Sequence, residues 1–235
     1  MEFARALARN TLRRIGLEKI HHPSLVDLML KEDIATVLDV GANQGHFGIE
    51  IRERGYRGRI VSFEPIASVF EVLRRRADRD PAWDAYRCGI GDRDAELEIS
   101  IAAAPVFSSF KPPSEYTAAK WAGAREVRRE TAPVIRLDGF LAHHPEYLAN
   151  AYLKIDTQGM EREVLLGAGD LLPRFRAVQL EVALRPLYQG QETLCTMVDW
   201  MAGRGFEVAM AKENGFDWET VRLLELDLVF VRTAT

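Results

Sequence analysis

Val37-Leu38-Asp39-Val40-Gly41-Ala42-Asn43-Gln44-Gly45 is an apolar run that ends in an acid and breaks into a glycine-rich turn. A helix-like segment, His46 to Arg54, follows at once. This is the pattern of a buried parallel strand feeding a nucleotide-binding turn. Gly41 and Gly45 allow a sharp bend and a close approach of backbone to ligand. The helix N-terminus behind them offers unpaired N–H groups. The turn reads Gly-x-x-x-Gly, not the Gly-x-Gly-x-x-Gly of dinucleotide sites, and no Lys-Ser or Lys-Thr pair follows to make a P-loop. An acid placed before such a turn suits a ligand with a positive or hydrogen-bond-donating group. The same residues also fit an ordinary tight strand-to-helix turn, so the rest of the chain must decide.

Outward from this stretch, strand-like and helix-like segments alternate. Leu25, Leu28 and Met29 are spaced as on a helix over residues 20–35, started by His22-Pro23-Ser24. Thr36 to Val40 reads as the first strand, Gly45 to Arg54 as the first crossover helix, and Arg59 to Phe63 as the second strand, ending at Glu64-Pro65. Ile66, Phe70, Leu73 and Ala77 give the next helix, and Trp83 to Ile90 the third strand. Glu96 to Ile101 alternates as a half-exposed strand does. Ala102 to Ala132 has no clear period and reads as a long irregular lid with one short helix near Glu115 to Ala124. Val134 and Ile135 suit a short strand. Ala151 to Asp156 and Ala177 to Glu181 are the fourth and fifth strands, with a helix after Gly159 between them. Leu194 to Met201 is a helix face, and Gly205 to Met210 and Leu226 to Val231 are the last two strands. The alternation implies an α/β domain with a mostly parallel sheet and helices on both faces.

Composition narrows the function classes. The chain has 235 residues, 47% hydrophobic and 28% charged, with a formal net charge of -4. That length buries the core of one large domain, and the mildly acidic balance argues against a dedicated nucleic-acid binder. Arg74-Arg75-Arg76 and Arg128-Arg129 are short enough to be solvated faces. Cys88 and Cys195 lie far apart without metal spacing, which fits a reducing cytoplasm. No apolar run reaches a membrane-spanning length. Phe3, Leu7, Leu12 and Ile15 suit a basic amphipathic helix within an N-terminal extension (residues 1–33) that precedes the domain (34–235). Packing on the domain or on a second subunit, as in a homodimer, is one reading of that helix; a membrane surface is the other.

In open parallel sheets the ligand lies outside the carboxyl ends of the strands, so the residues there carry the argument. Glu64 ends the second strand, 25 residues after Asp39, where an acid accepts both hydroxyl hydrogens of a ribose; Pro65 fixes the backbone beside it. Ile90 is placed to stack on a flat base and Asp92, after Gly91, to accept its exocyclic amine; a plain turn explains them equally. Asp156 and Glu181 end the fourth and fifth strands, and Lys154 lies on the same side of its strand as Asp156. This pair is open to three roles: oxygen ligands of a divalent cation such as Mg2+, a general base, or hydrogen bonds to substrate. Glu161, one turn into the next helix, is a candidate for the same site or a helix-capping acid. His46, His143 and His144 read as polar surface residues.

These stretches resemble the FkbM family of S-adenosylmethionine-dependent methyltransferases. The match runs from Val37–Gly45 through Gly58–Pro65, Gly89–Asp92, Ser108-Ser109 and Leu137-Asp138 to Leu153-Lys154-Ile155-Asp156-Thr157-Gln158-Gly159-Met160-Glu161. It ends with Gln179-Leu180-Glu181 and Arg185-Pro186-Leu187-Tyr188, covering roughly residues 34–232. The resemblance implies a three-layer, Rossmann-like class I methyltransferase fold, with a seven-stranded, mostly parallel sheet whose last strand is antiparallel. It implies methyl transfer to an oxygen, usually a hydroxyl of a sugar, glycan, polyketide or related small molecule. Asp39, Gly41, Asn43, Gly45 and Glu64 become the cofactor site, which the strand-end reading extends to Ala42, Phe47, Pro65, Ile90, Gly91 and Asp92. Lys154, Asp156, Glu161 and Glu181 become the active-site polar set, under a lid carrying Phe107, Phe110, Tyr116 and Trp121. Two other classes compete: a catalytically silent module that keeps the cofactor fold, and an NAD-linked oxidoreductase, against which the glycine spacing counts.

Overall fold

A computed structural model of the chain describes residues 23–233. The amphipathic segment expected over Met1 to Lys19 lies outside the described residues. A seven-stranded sheet organises the rest. Its strands, in chain order, are β1 (Thr36–Val40), β2 (Arg59–Phe63), β3 (Trp83–Tyr86), β7 (Ala151–Ile155), β8 (Ala177–Ala183), β9 (Phe206–Glu213) and β12 (Glu225–Arg232). In space they run β3-β2-β1-β7-β8-β12-β9. All neighbouring pairs from β3 to β8 are parallel, and β12 runs antiparallel to both β8 and β9. The expected sheet with its reversed last strand is therefore present.

Both faces of the sheet are covered, which is why β1, β7 and β8 read as mainly apolar runs, interrupted by Asp39, Lys154, Gln179 and Glu181. One face packs Val37, Ile60, Tyr152 and Ala177 against α1 (Leu25–Lys31), α2 (His46–Glu53) and α3 (Ala67–Ala77). The other packs Leu38, Phe63, Leu153 and Leu180 against α5 (Leu137–His143), α6 (Glu161–Gly167) and α7 (Leu194–Ala202). Burying each such side chain contributes about 1.5–3 kcal/mol, so the centre of the sheet is the rigid part from which the site is hung. α1 starts at a capping box in which Ser24 and Asp27 satisfy each other's backbone N–H groups. Beyond the end of α5, His144 stacks on Tyr147 and packs at a tilt against Phe140.

Three expectations change. The third strand is split: β3 belongs to the main sheet, while β4 (Gly89–Gly91) joins a separate three-stranded sheet with β5 (Ala95–Ala102) and β6 (Glu126–Arg136). The irregular stretch ends at Arg125, because β6 pairs antiparallel with β5 over residues 126–134. The first four residues of β6 are exposed, and its buried positions are confined to Ala132 and Val134. Finally, a small hairpin of β10 (Phe216–Asp217) and β11 (Arg222–Leu223) stands between β9 and β12. The helix expected in the lid is present as α4 (Glu115–Lys120), followed by a 3-10 turn over Ala122–Ala124. Tyr116 Oη donates to Asp217 at 2.6 Å, and Lys120 pairs with Asp217 and Glu219, so the hairpin anchors the lid. Among the described residues no helix is long and apolar enough to cross a membrane.

Candidate active site

The carboxyl ends of β1, β2, β7 and β8 open onto a cavity of about 390 Å³. Gly41 and Asn43 enter it from the turn after β1, Glu64 and Pro65 from the end of β2, Ile90 from β4, Asp156 from the end of β7 and Glu181 from β8. Residues 105–110 of the lid close its far side. The cavity therefore gathers residues spread over most of the described chain, because a parallel sheet delivers all its strand ends to one edge.

Glu64 is set by backbone donors. Asn43 N–H donates to its Oε2 at 3.0 Å and Ile66 N–H to its Oε1 at 2.8 Å. Each oxygen keeps a further acceptor direction, as a carboxylate that receives two hydroxyls requires. Burial pushes the Glu64 carboxyl up to about 7, against the two N–H donors that pull it down. A raised pKa means the folded protein holds a proton that the unfolded chain has released. The associated stability is complete below the unfolded value near 4.5 and is lost as pH rises through about 7. Glu64→Gln is thus expected to flatten the fall of the thermal midpoint between pH 5 and pH 8. Midpoints of both proteins across that range are the check, and equal slopes would show that Glu64 is not held this way.

Beneath the turn, Asp39 is fully buried, at 0% exposure. β1 and β7 pair Asp39 with Lys154 in register. Lys154 Nζ donates to Asp39 Oδ1 at 3.0 Å and to Asp156 Oδ2 at 3.3 Å. Desolvation pulls the Lys154 ammonium down, but the two carboxylates outweigh it and hold its pKa above the usual lysine value. Lys154 is a fixed cation that orients Asp156. Asp39 lines neither this cavity nor its neighbour, so the acid before the turn faces Lys154 inside the protein and not a ligand.

The two glycines also differ in role. Gly41 borders the cavity, whereas the position of a side chain on Gly45 is blocked by Leu73 and Trp83 of the core. The missing side chain of Gly45 permits packing against the core, and Gly45 lines neither this cavity nor the next. Ala42, Phe47 and Lys154 line a second cavity of about 510 Å³ on the α1–α2 side, which meets the first at Gly41, Asn43, Asp156 and Asn214. Gly91 and Asp92 face a third hollow that meets the first at Phe110 and Met160, and the Asp92 carbonyl accepts from Arg136; they do not join Ile90 in the main cavity.

Glu161 is a loop cap. Its Oε1 accepts from Thr157 N–H, Thr157 Oγ1 and Gly159 N–H at 3.1–3.2 Å, and it lines none of the three cavities. What it holds in place is Gln158, which the strand-end reading passes over. Gln158 has a left-handed backbone, φ 55°. Its Nε2 donates to Asp156 Oδ1 at 3.1 Å and to Glu181 Oε2 at 2.7 Å, and its Oε1 accepts from Tyr188 Oη at 2.8 Å. Ser109 Oγ of the lid donates to its carbonyl at 2.7 Å. Glu181 also accepts from Asn214 Nδ2. Burial beside Asp156 and Glu225 holds the Glu181 carboxyl well above its ordinary range. Asp156 and Glu181, the pair open to a cation, are thus bridged by one amide. Among the described residues, no group of three or more His, Cys, Asp or Glu side chains is gathered to hold a metal ion.

Comparison with known proteins adds the following. A family model described as "Methyltransferase FkbM domain" matches residues 39–208. The AMB antimetabolite synthetase AmbE of Pseudomonas aeruginosa is 31% identical over 211 residues, covering 76% of this chain; the chain spans about a tenth (10%) of that protein's length. Methyltransferase 1 of Beauveria bassiana is 24% identical, over 68% of this chain and 71% of its own. Among solved structures, TehB from Haemophilus influenzae is similar with a TM-score of 0.48 and 10% identity, over 91% of this chain and 63% of that one.

Proposed function

Because this chain belongs to the FkbM methyltransferase family, we propose that it transfers a methyl group from S-adenosylmethionine to a hydroxyl oxygen of a sugar, glycan, polyketide or related small molecule. The observation that carries the reading is the lining of the main cavity: Glu64 at the end of β2, Asp156 at the end of β7, and the glycine turn between them. This donor set fits the cofactor. Glu64 accepts ribose hydroxyls, Ile66 and Ile90 flank the base, and Asp156 and the turn after β1 take the cationic amino acid end. The lining carries Glu64, Asp156, Glu181 and Glu225 and, among the described residues, no Lys, Arg or His. That balance suits a ligand of net positive charge and disfavours phosphate-bearing ones. When bound, the cofactor supplies a methyl group already activated by its sulfonium.

The chain then has to orient an acceptor and help remove its proton. Asp156 is assigned that assistance: its side chain is 35% exposed, the most open of the ion-paired carboxylates of the Lys154 network. Lys154 fixes it from below and Gln158 from the side. Residues 105–110, tied down by Ser109, cover the acceptor and exclude water.

Calorimetric titration with S-adenosylhomocysteine tests the reading. Saturable binding is expected, weakened by about tenfold to a hundredfold in Glu64→Ala, the cost of losing hydrogen bonds to a charged group. Folded protein that binds no S-adenosylhomocysteine would overturn it. Once an acceptor is in hand, Asp156→Asn is expected to lower turnover far more than cofactor affinity.

A further inference from the structure

Three of the four carboxylates on the main cavity have donors. Glu64 has two backbone N–H groups, Asp156 has Lys154 and Gln158, and Glu181 has Gln158 and Asn214. Glu225 is different. It opens β12, borders the cavity and is 8% exposed, and its Oε1 is buried without a hydrogen-bond partner among the described residues. A buried polar group left bare is costly, and a carboxylate more so than a neutral group.

Its surroundings do not relieve it. Asp156 and Glu161 face it from β7 and α6, Glu181 from β8, Asp227 from its own strand, and the Tyr188 phenol from the segment after β8. Of the nearby cations, Lys154 is committed to Asp39 and Asp156, and Lys212 acts on Asp227. Burial among these acids pushes Glu225 up to about 8.

We propose that Glu225 recognises a protonated amine on the acceptor, so that the acceptor class is a hydroxyl compound bearing an ammonium group, such as an amino sugar or amino alcohol. The proposal rests on the methyltransferase reading of the same cavity and narrows its acceptor. A neutral polyol would give Glu225 a hydrogen bond but bring no positive charge to the acidic wall. An anionic acceptor would be repelled by it. An ammonium supplies both the donor and the opposite charge. Because burial among acids favours the protonated Glu225 carboxyl, pairing with an ammonium should release a proton.

The test uses the full chain saturated with S-adenosylhomocysteine and two matched pairs of probes: D-glucosamine against D-glucose, and 2-aminoethanol against ethylene glycol. Calorimetry at pH 7, in two buffers of different ionisation heat, reads affinity and proton release. The amine of each pair is expected to bind at least about tenfold more tightly than its neutral partner, with protons released. In Glu225→Gln that advantage should vanish, and in Glu225→Asp it should persist, with S-adenosylhomocysteine binding serving as the check on folding. Equal affinity within the pairs, no binding of either amine, or an advantage that survives in Glu225→Gln would overturn the proposal. Wild-type protein that fails to bind S-adenosylhomocysteine would instead remove the methyltransferase reading and this proposal with it. The comparison within wild-type pairs stands even if the variants do not fold.

Discussion

Gly41→Ala should destabilise the fold by on the order of 4 kcal/mol, the sum of a left-handed backbone penalty and a forced overlap. Gly41 has φ 77°, and a Cβ there would lie 1.9 Å from the carbonyl oxygen of Asp156. Neither chain can retreat. Gly41 N–H donates to Phe63 O at 3.1 Å, and Asp156 N–H donates to Val40 O at 3.0 Å. Gly55 supplies the control: its φ is 107°, but nothing lies within 4 Å of an added Cβ. Gly55→Ala should therefore cost only the backbone penalty, about 1–2 kcal/mol. Urea unfolding of both variants separates the two contributions. If they lose the same stability, the contact between the turn and the end of β7 does not have the tightness described.

Removing the buried cation should be nearly as damaging. Lys154→Met leaves Asp39 at 0% exposure with no ammonium beside it, and breaking a buried pair from one side costs about 3–5 kcal/mol. Burial already drives the Asp39 carboxyl up, and Lys154 is the principal influence drawing it down. Without Lys154, Asp39 should stay protonated to higher pH, so the loss of stability deepens as pH rises through the new value. Asp39→Asn combined with Lys154→Met removes both charges and should recover much of the loss. A double-mutant cycle measured by denaturant unfolding gives the coupling directly; additive single losses would mean that the pair contributes nothing as a pair. The same substitution frees Asp156 on one side, so cofactor affinity should fall together with stability.

How far the sequence reveals this molecule depends on where each residue sits in the sheet. β1, β2, β7 and β8 are buried on both faces, and their apolar runs are visible without any partner being known. Because these strands are parallel, Glu64 and Asp156, which follow β2 and β7, and Glu181, which lies two residues inside the end of β8 and not at the strand end expected from sequence, could be assigned to one cavity from order alone. β6 escapes because Glu126 to Glu130 faces solvent and carries charge, so its strand character comes from pairing with β5 and not from its own pattern. The break between β3 and β4 escapes for a related reason: Arg87 and Cys88 move the chain from one sheet to another, and no local signal marks the change of partner. Glu225 escapes because β12 is reversed. On an antiparallel strand the residue at the shared edge is the first one, so a search of strand ends looks at the wrong terminus. The reversal implied by the family resemblance, applied to Leu226 to Val231, would have pointed to it. Gln158 carries no charge and no period. Its importance follows from a left-handed loop conformation that places one amide between two carboxylates.

β12 follows β9 in the chain but lies between β8 and β9 in space. During translation the cofactor end of the cavity can form from residues up to Asp156, while β8 and β9 leave the ribosome with a gap between them. Only when the residues of β12 emerge and slot into that gap does Glu225 reach Glu181 and the acceptor end take shape. Closing such a gap needs long-range pairing, which is slow, and until then two strand edges stay open to other chains. On the proposed reading, a nascent chain would thus acquire the pocket for the methyl donor before it has anywhere to put a recipient.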